Sequence, residues 1–297
     1  MSATSVAPPI AQALACWCHQ GEWRTEFRTK SFGLLRCSGC GGYRIDPAPL
    51  QTPETSEEFY TEYYAREGVS ELVASAELER SAFWSVVEQV PGLPRAGERV
   101  ADVGCGDAHL CAQLRDAGWQ SVIGVDVSRT RIERAKKRYP DSDLYLGTLD
   151  ESICKPGSLD LMVMDSVVEH LVNPEEVLAG LRKFLSAKGY FVALTPNMDS
   201  GHFAFLGKRW TGMLAPHAHI YLFTANSLRR LLEHAGFSVV TTGSIHAAPY
   251  RPSQFMKRIA SGDVKGAIWR AHQEIGGWYG RLIGQGPMLY AVARKGH

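Results

Sequence analysis

Hydrophobic positions along this chain change their period partway through. After prolines 47, 49 and 53, the stretch EEFYTEYYAREGVSELVASAELERSAFWSVVEQV repeats apolar residues three and four apart, which predicts one or two helices ahead of Pro91. From Arg99 onward, short β-branched runs alternate with helical patterns. RVADVG, SVIGVDV, DLYLG, LDLMVMD and GYFVALT read as strands, with helices between them over about 108–117, 129–139 and 174–187. Alternation of this kind predicts βαβ units stacked into a doubly wound α/β sheet. Past Pro196 comes a Gly- and aromatic-rich stretch, GHFAFLGKRWTGMLAPHAHIYLFT, then a helix LRRLLEHAG, a strand FSVVTTGSI and a final strand MLYAVARK. The roughly 40 residues between the last two strands exceed an ordinary connection and should contain helices of their own.

Residues 16–48 lack such periodicity and are rich in Cys, Gly and turn signals, marking a small unit unable to fold by burial alone. Cys16-x-Cys18 and Cys37-x-x-Cys40 supply four thiols in two close pairs, the number a tetrahedral structural zinc requires, with His19 as a spare ligand. The expected organisation is a cysteine-rich module over 1–48, a helical lid or linker over 49–95, and an α/β domain over 96–297. That domain carries insertions at about 198–225 and 247–286.

Composition narrows the function classes. At 297 residues with 45% hydrophobic content, the chain can bury a full α/β core and a smaller module. Thirty-two Lys and Arg against 31 Asp and Glu leave no basic excess for a phosphate backbone, which disfavours a nucleic-acid substrate. The start, MSATSVAPPIAQALAC, lacks the basic opening and long apolar run of a secretory signal, and no run reaches transmembrane length. Cys105, Cys111 and Cys154, scattered singly in the presumed core, fit a reducing cytoplasm better than a disulfide framework.

The turn after the first core strand reads ADVGCGDAHL. Gly104 and Gly106 let a ligand approach the backbone, and the following helix offers free N–H groups. A nicotinamide fingerprint starting at Gly104 would need glycine at 109, where the chain has His109. The second strand ends GVDVS, so Asp126 can accept both hydroxyls of a ribose while Ser128 caps the next helix. The plain alternative is that Asp126 is an ordinary turn residue and the glycines merely shape the turn.

In their order, VADVGCGDAHL, GVDVS and LDLMVMDSVVEHLVNPEEVLAGLRKFLSAKGYFVALTPN resemble the successive motifs of class I S-adenosylmethionine-dependent methyltransferases, over about residues 98 to 245. The resemblance implies a Rossmann-like sheet, with Asp102, Gly104 and Gly106 around the methionine and sulfonium end and Asp126 on the ribose. Thr148 and Leu149, after DLYLG, would meet the adenine. Asp165 and Ser166 would border the transferred methyl. The family's usual third glycine is Ala108 here, and Thr148 replaces its frequent acidic adenine contact.

Similar ubiquinone-biosynthesis O-methyltransferases carry an E-x-x-E-H metal cluster at Glu169 and His170. Here Ser166 replaces the first glutamate, which favours capping or substrate-pocket roles for the pair. FYTEYYA is similar to the cofactor lid of such enzymes, so Tyr64, with Tyr60 and Tyr63 on the same helix face, would reach the cofactor or else pack on the core. The cysteine pairs resemble the N-terminal zinc-binding region of antibiotic and deoxysugar methyltransferases.

Methyl transfer to a hydroxyl needs alignment and a proton acceptor, and histidine is the natural base near neutral pH. His202, His217, His219 and His246 all lie past the fifth core strand, on the expected substrate side. His219 ranks first and His217 second, because PHAHIYLFTANSLRRLLEHAGF is similar to a family segment with a histidine there; a structural anchor is the alternative. Trp210, Tyr221 and Phe223 line an acceptor pocket or are core. The expected activity is methyl transfer to a small molecule, most simply O-methylation of a natural product, sugar or lipid-linked glycan. N- or C-methylation, a non-catalytic cofactor-binding protein docking a partner through the cysteines, and a nicotinamide oxidoreductase are the rivals.

Overall fold

A computed structural model describes residues 16–18, 21–48, 81–210, 215–246 and 264–296. Two sheets organise them. The smaller contains β1 (Trp23–Arg28), β2 (Gly33–Cys37), β3 (Tyr43–Asp46) and the two-residue β9 (Tyr221–Leu222), in that order and antiparallel throughout. The larger has seven strands, ordered β10 (Phe237–Ile245), β11 (Met288–Lys295), β8 (Leu185–Pro196), β7 (Leu159–Asp165), β4 (Arg99–Val103), β5 (Ser121–Asp126) and β6 (Asp143–Leu146). β4 to β8 are mutually parallel and β11 runs antiparallel to both its neighbours. The order steps outward from β4 in both directions, so the expected doubly wound sheet forms, with its switch point at β4.

Alternation along the strands builds a core on each face. Val100, Val122, Leu161, Val163 and Val192 pack with Phe83, Trp84 and Val87 of helix α1 (Ala82–Gln89) and with Leu110 and Leu114 of α2 (His109–Asp116). Ala101, Ile123, Met162 and Phe191 point the other way, towards Leu178 and Leu181 of α4 (Pro174–Arg182) and Leu228 and Leu231 of α6 (Ala225–His234). Helix α3 (Arg129–Arg138) starts as anticipated, with Ser128 Oγ accepting the Arg131 N–H.

The helix expected over 174–187 ends earlier, at Arg182. Phe184 and Leu185 belong to the same buried cluster as Leu178 and Leu181, so apolar spacing continues while the backbone has already turned into the twelve-residue β8. The long connection before β11 does hold a helix, α7 (Val264–Leu282), which packs on the short α5 (Gly201–Leu206). The predicted lid helix carrying Tyr60, Tyr63 and Tyr64 lies outside the described residues, apart from α1 at its end. No helix among the described residues is long and apolar enough to cross a membrane.

Candidate functional site

The turn after β4 is the most tightly specified loop at the strand ends. Gly104 and Gly106 both have positive φ (83° and 55°), and a Cβ at either would run into Val167 or the Arg131 guanidinium respectively. Gly104 and Cys105 donate to the Val125 carbonyl, at 2.8 and 3.0 Å, which folds the turn across the end of β5. Asp126 Oδ2 accepts the Gly106 N–H at 2.8 Å, and Oδ1 accepts the Ser128 N–H at 2.8 Å. Its carboxylate therefore orders the glycine turn and ties it to the start of the next helix. The Asp126 carbonyl takes the Gly147 N–H at 2.9 Å, fixing the turn that carries exposed Thr148 and buried Leu149. Ala108, which stands where the resemblance expects a third glycine, also has positive φ (62°), a conformation costly for alanine.

Acid groups gather beside this turn. Burial, reinforced by the charge of Asp165, pushes Asp102 up to about 7, and burial raises Asp165 as well. Asp165 accepts from Ser81 Oγ at 3.3 Å and Ser166 Oγ at 3.2 Å, tying α1 to the end of β7. Asp102 Oδ2 accepts the Cys111 thiol at 3.5 Å. A cation placed here would restore the ionised form that burial disfavours.

Three residues beyond Asp165, a single 3-10 turn (Val168–His170) presents a second cluster. Glu169 is fully buried; Thr195 Oγ1 donates to its Oε2 at 3.0 Å, while Oε1 has no hydrogen-bond partner among the described residues. Burial lifts its carboxyl to about 8, so it is mostly protonated at neutral pH. His170 Nδ1 lies 3.0 Å from the Ala218 carbonyl, which can only accept, so Nδ1 carries the proton and Nε2 keeps its lone pair. Burial pushes His170 down to about 4. His219 meets it edge to face, ring centroids 4.8 Å apart, and Glu169, His170 and His219 each offer one ligand atom within 4.8 Å of the others.

The remaining candidate histidines scatter. His217 is exposed on the turn before His219, and His246 is exposed past β10, near Arg281. His202 stacks on Trp210 beneath Gly276 and Gly277 of α7. Trp210 packs with Phe32, Tyr43 and Leu222, and Tyr221 and Phe223 pack around Trp17, so all three sit in core between module and sheet. Tyr64 lies outside the described residues.

The four module cysteines are buried and converge. Cys16 and Cys40 sulfurs are 3.4 Å apart, Cys18 and Cys37 3.5 Å, and all four lie within 4.8 Å of one another. Backbone N–H groups of Gly39 and Gly42 point at Cys37 Sγ and Cys40 Sγ, both at 3.4 Å, donors that suit thiolates. Hydrogen bonding from Cys16 lowers Cys40 to about 6. Four convergent thiols with amide donors fit a tetrahedral metal. His19 lies outside the described residues.

Several groups in this arrangement escape sequence reasoning: Val167 against Gly104, Thr195 on Glu169, Ser81 on Asp165, and Asp107 held by Arg131 (3.3 Å) and Arg134 (2.9 Å). Each is joined by a contact remote in sequence, so even where the residue lies within a quoted motif, its partner cannot be read from the chain.

A methyltransferase-domain family model matches residues 65–242. A Mycolicibacterium smegmatis protein named as a probable S-adenosylmethionine-dependent methyltransferase is 31% identical over 154 residues, 52% of this chain and 57% of that protein. A ubiquinone biosynthesis O-methyltransferase of Cereibacter sphaeroides is 30% identical over 157 residues, 50% and 63% respectively. The chain thus spans less than two thirds of these relatives' length. Among solved structures, a Haloferax volcanii complex of the Trm112 methyltransferase activator with a methyltransferase aligns with TM-score 0.56 at 17% identity, over 81% of this chain and 99% of that one. The [4+2]-cyclase SpnF aligns with TM-score 0.53 at 16% identity, over 84% and 98%. Those structures share the fold alone.

Proposed function

Because this chain belongs to the methyltransferase-domain family, we propose that it moves the methyl group of S-adenosylmethionine to a small molecule, most simply onto an oxygen of a natural product, sugar or lipid-linked glycan. One observation carries the reading. The acid-lined glycine turn and the Glu169–His170–His219 cluster lie side by side at the strand ends, joined by Val167, which touches Gly104 and sits three residues before His170.

When bound, S-adenosylmethionine supplies a methyl on a sulfonium, which an acceptor attacks in line. Asp126 and the glycine turn would hold the ribose and amino-acid parts, and Thr148 and Leu149 would border the adenine, while Tyr64, the expected lid contact, lies outside the described residues. Asp102 and Asp165 give the cationic end carboxylates that ionise more readily beside it. On the acceptor side, His219 takes the hydroxyl proton. His170, kept neutral by burial and fixed by Ala218, holds the His219 ring and supplies a second lone pair. His217 is the weaker candidate because its side chain is exposed away from the cluster.

Cys16, Cys18, Cys37 and Cys40 would hold one structural zinc ion, with no part in the chemistry. A second reading has its own support: His219 completes a three-ligand set with Glu169 and His170, so a divalent cation there would orient the acceptor oxygen. Incubating the chain with methyl-labelled cofactor and a panel of phenols, sugars and amines tests the activity by the mass of one methyl group on a single acceptor. Tight binding of S-adenosylhomocysteine with no methylated product across all panels would favour the non-catalytic reading.

A further inference from the structure

We propose that the cysteine module is a positioning device for the acceptor side of the site, acting through the peptide of Ile220. This rests on the zinc reading above and goes beyond it, since a structural metal need only fold its own module. Ile220 makes two backbone bonds in opposite directions. Its N–H donates to the Glu169 carbonyl at 2.9 Å, and its carbonyl accepts the Ile45 N–H of β3 at 3.0 Å. One residue thus links the turn bearing Glu169 and His170 to the strand that follows the Cys37–Cys40 knuckle.

The neighbouring contacts repeat that link. β3 pairs with β9 at Tyr43–Leu222 and Arg44–Tyr221. Asn226 Nδ2 donates to the Cys40 carbonyl at 2.8 Å, fastening the start of α6 to a metal-ligating residue. Trp17, set between Cys16 and Cys18, packs edge-on against Tyr221 at 4.7 Å and against Phe223 at 5.3 Å. On the other side of the same short segment, the Ala218 carbonyl holds His170 Nδ1, and Met198 donates to the Phe223 carbonyl at 2.9 Å. Residues 218–223 are therefore gripped by module on one side and by the sheet on the other, and His219 lies within that grip. A two-residue β9 has too few bonds to hold its register without the partner strand.

The cofactor side is held differently: the N–H groups of Gly104, Cys105, Gly106 and Gly147 donate to Val125 and Asp126, not to the module. Loss of the metal should therefore loosen 215–223 and 168–171 while sparing 102–106 and 122–126.

The test uses the full chain, with zinc measured by elemental analysis before and after treatment with a chelator, and hydrogen exchange read by mass spectrometry. Exchange over 215–223 and 168–171 is expected to quicken at least about tenfold on metal removal, against less than about twofold at 102–106. S-adenosylhomocysteine affinity should hold within about threefold. Trp17→Leu, which keeps all four cysteines, gives an arm that does not depend on chelation. It should retain its zinc yet convert His170 from the Nδ1–H tautomer to a mixture, read from imidazole ¹⁵N shifts; a module that merely covers the core would leave that tautomer alone. Purified chain without zinc overturns the underlying metal reading. Zinc present, with unchanged exchange at 215–223 on its removal and an unchanged His170 tautomer in Trp17→Leu, overturns the positioning inference alone.

Discussion

The two halves of the site are built in opposite ways. The half proposed to hold the cofactor rests mostly on backbone N–H groups: its determinants sit in Asp102–Gly106 and Asp126–Ser128, bonded to one another across adjacent parallel strand ends, with the Ser81–Asp165 bond as a remote side-chain link. The acceptor half is mostly long-range side-chain contact. Glu169 finds Thr195, His170 finds Ala218, and the segment bearing His219 is secured by residues as distant as Cys40. A turn made of backbone tolerates many side chains so long as its glycines and one carboxylate remain, whereas a cluster gathered from several loops depends on each of them.

That contrast is sharpest at His219, where the largest effect is expected. If its imidazole takes the acceptor proton, His219→Ala lowers turnover by roughly a hundredfold or more while S-adenosylmethionine affinity stays within about twofold. Steady-state rates and calorimetry on one preparation separate the outcomes. Concerted loss of cofactor binding and activity would make His219 an anchor shared by both halves and dissolve the distinction. A titration with Mn²⁺ followed by electron paramagnetic resonance, lost in the same variant, would give His219 the ligand role instead.

Next comes Asp126. Its carboxylate accepts two backbone N–H groups, so Asp126→Ala removes a brace of the glycine turn together with the proposed ribose contact. Affinity should fall about tenfold to a hundredfold, corresponding to roughly 1.5–3 kcal/mol for hydrogen bonds to a charged group. Asp126→Asn, which retains one acceptor oxygen, should lose less. Equal losses in the two variants would mean that charge, and not bracing, dominates.

How far the sequence reveals each half follows from the same contrast. Gly104, Gly106 and Asp126 are legible because backbone geometry imposes residue types at fixed spacing: positive φ favours glycine, and a strand end facing N–H groups favours Asp. The seven strands of the main sheet are legible by their short apolar runs. The end of α4 is not, since Phe184 and Leu185 serve the same core whether helical or extended. Nor is β9, because two residues carry no periodicity and backbone pairing with Tyr43 and Arg44 leaves no mark on side-chain identity. His170 shows the limit most clearly. Its tautomer is set by the carbonyl of Ala218, an atom every residue possesses, so no substitution pattern could announce it. Four histidines past the fifth core strand look alike in sequence, and only folding separates buried His219 from exposed His217 and His246.

A smaller effect probes the charge of the cofactor half. Burial raises Asp102 to about 7 by favouring its protonated form, and a cationic ligand would favour the ionised one. Binding is therefore linked to proton release: cofactor affinity should be level above about pH 7.5 and fall towards about tenfold per unit as pH drops below 7. The stability of the unliganded chain moves oppositely. A carboxyl whose folded pKa exceeds its ordinary value of 3.8 binds more protons folded than unfolded, so its contribution is greatest below about 4 and is lost as pH rises through 7. Asp102→Asn should flatten both curves, and a pH-independent affinity in the parent chain would place the cationic end elsewhere.

The smallest effect asks whether the halves are separable at all. Thr195 Oγ1 is the side-chain donor to Glu169 Oε2, and Oε1 has no hydrogen-bond partner among the described residues. Thr195→Val keeps the shape and deletes the donor, leaving a buried carboxyl less satisfied at a cost of about 1–2 kcal/mol. For a chain of this size that is a fall in Tm of only a few degrees. Glu169, already raised to about 8 by burial, loses a bond that favours its charged form, so its pKa moves further up and it stays protonated over a wider pH range. Because Glu169 touches the His219 loop through Ile220, the variant should alter the pH profile of turnover while leaving cofactor affinity within about twofold. A change in affinity as large as the change in stability would show that Val167, set between Gly104 and the 3-10 turn, transmits strain across the site, and the two halves would then have to be treated as one unit.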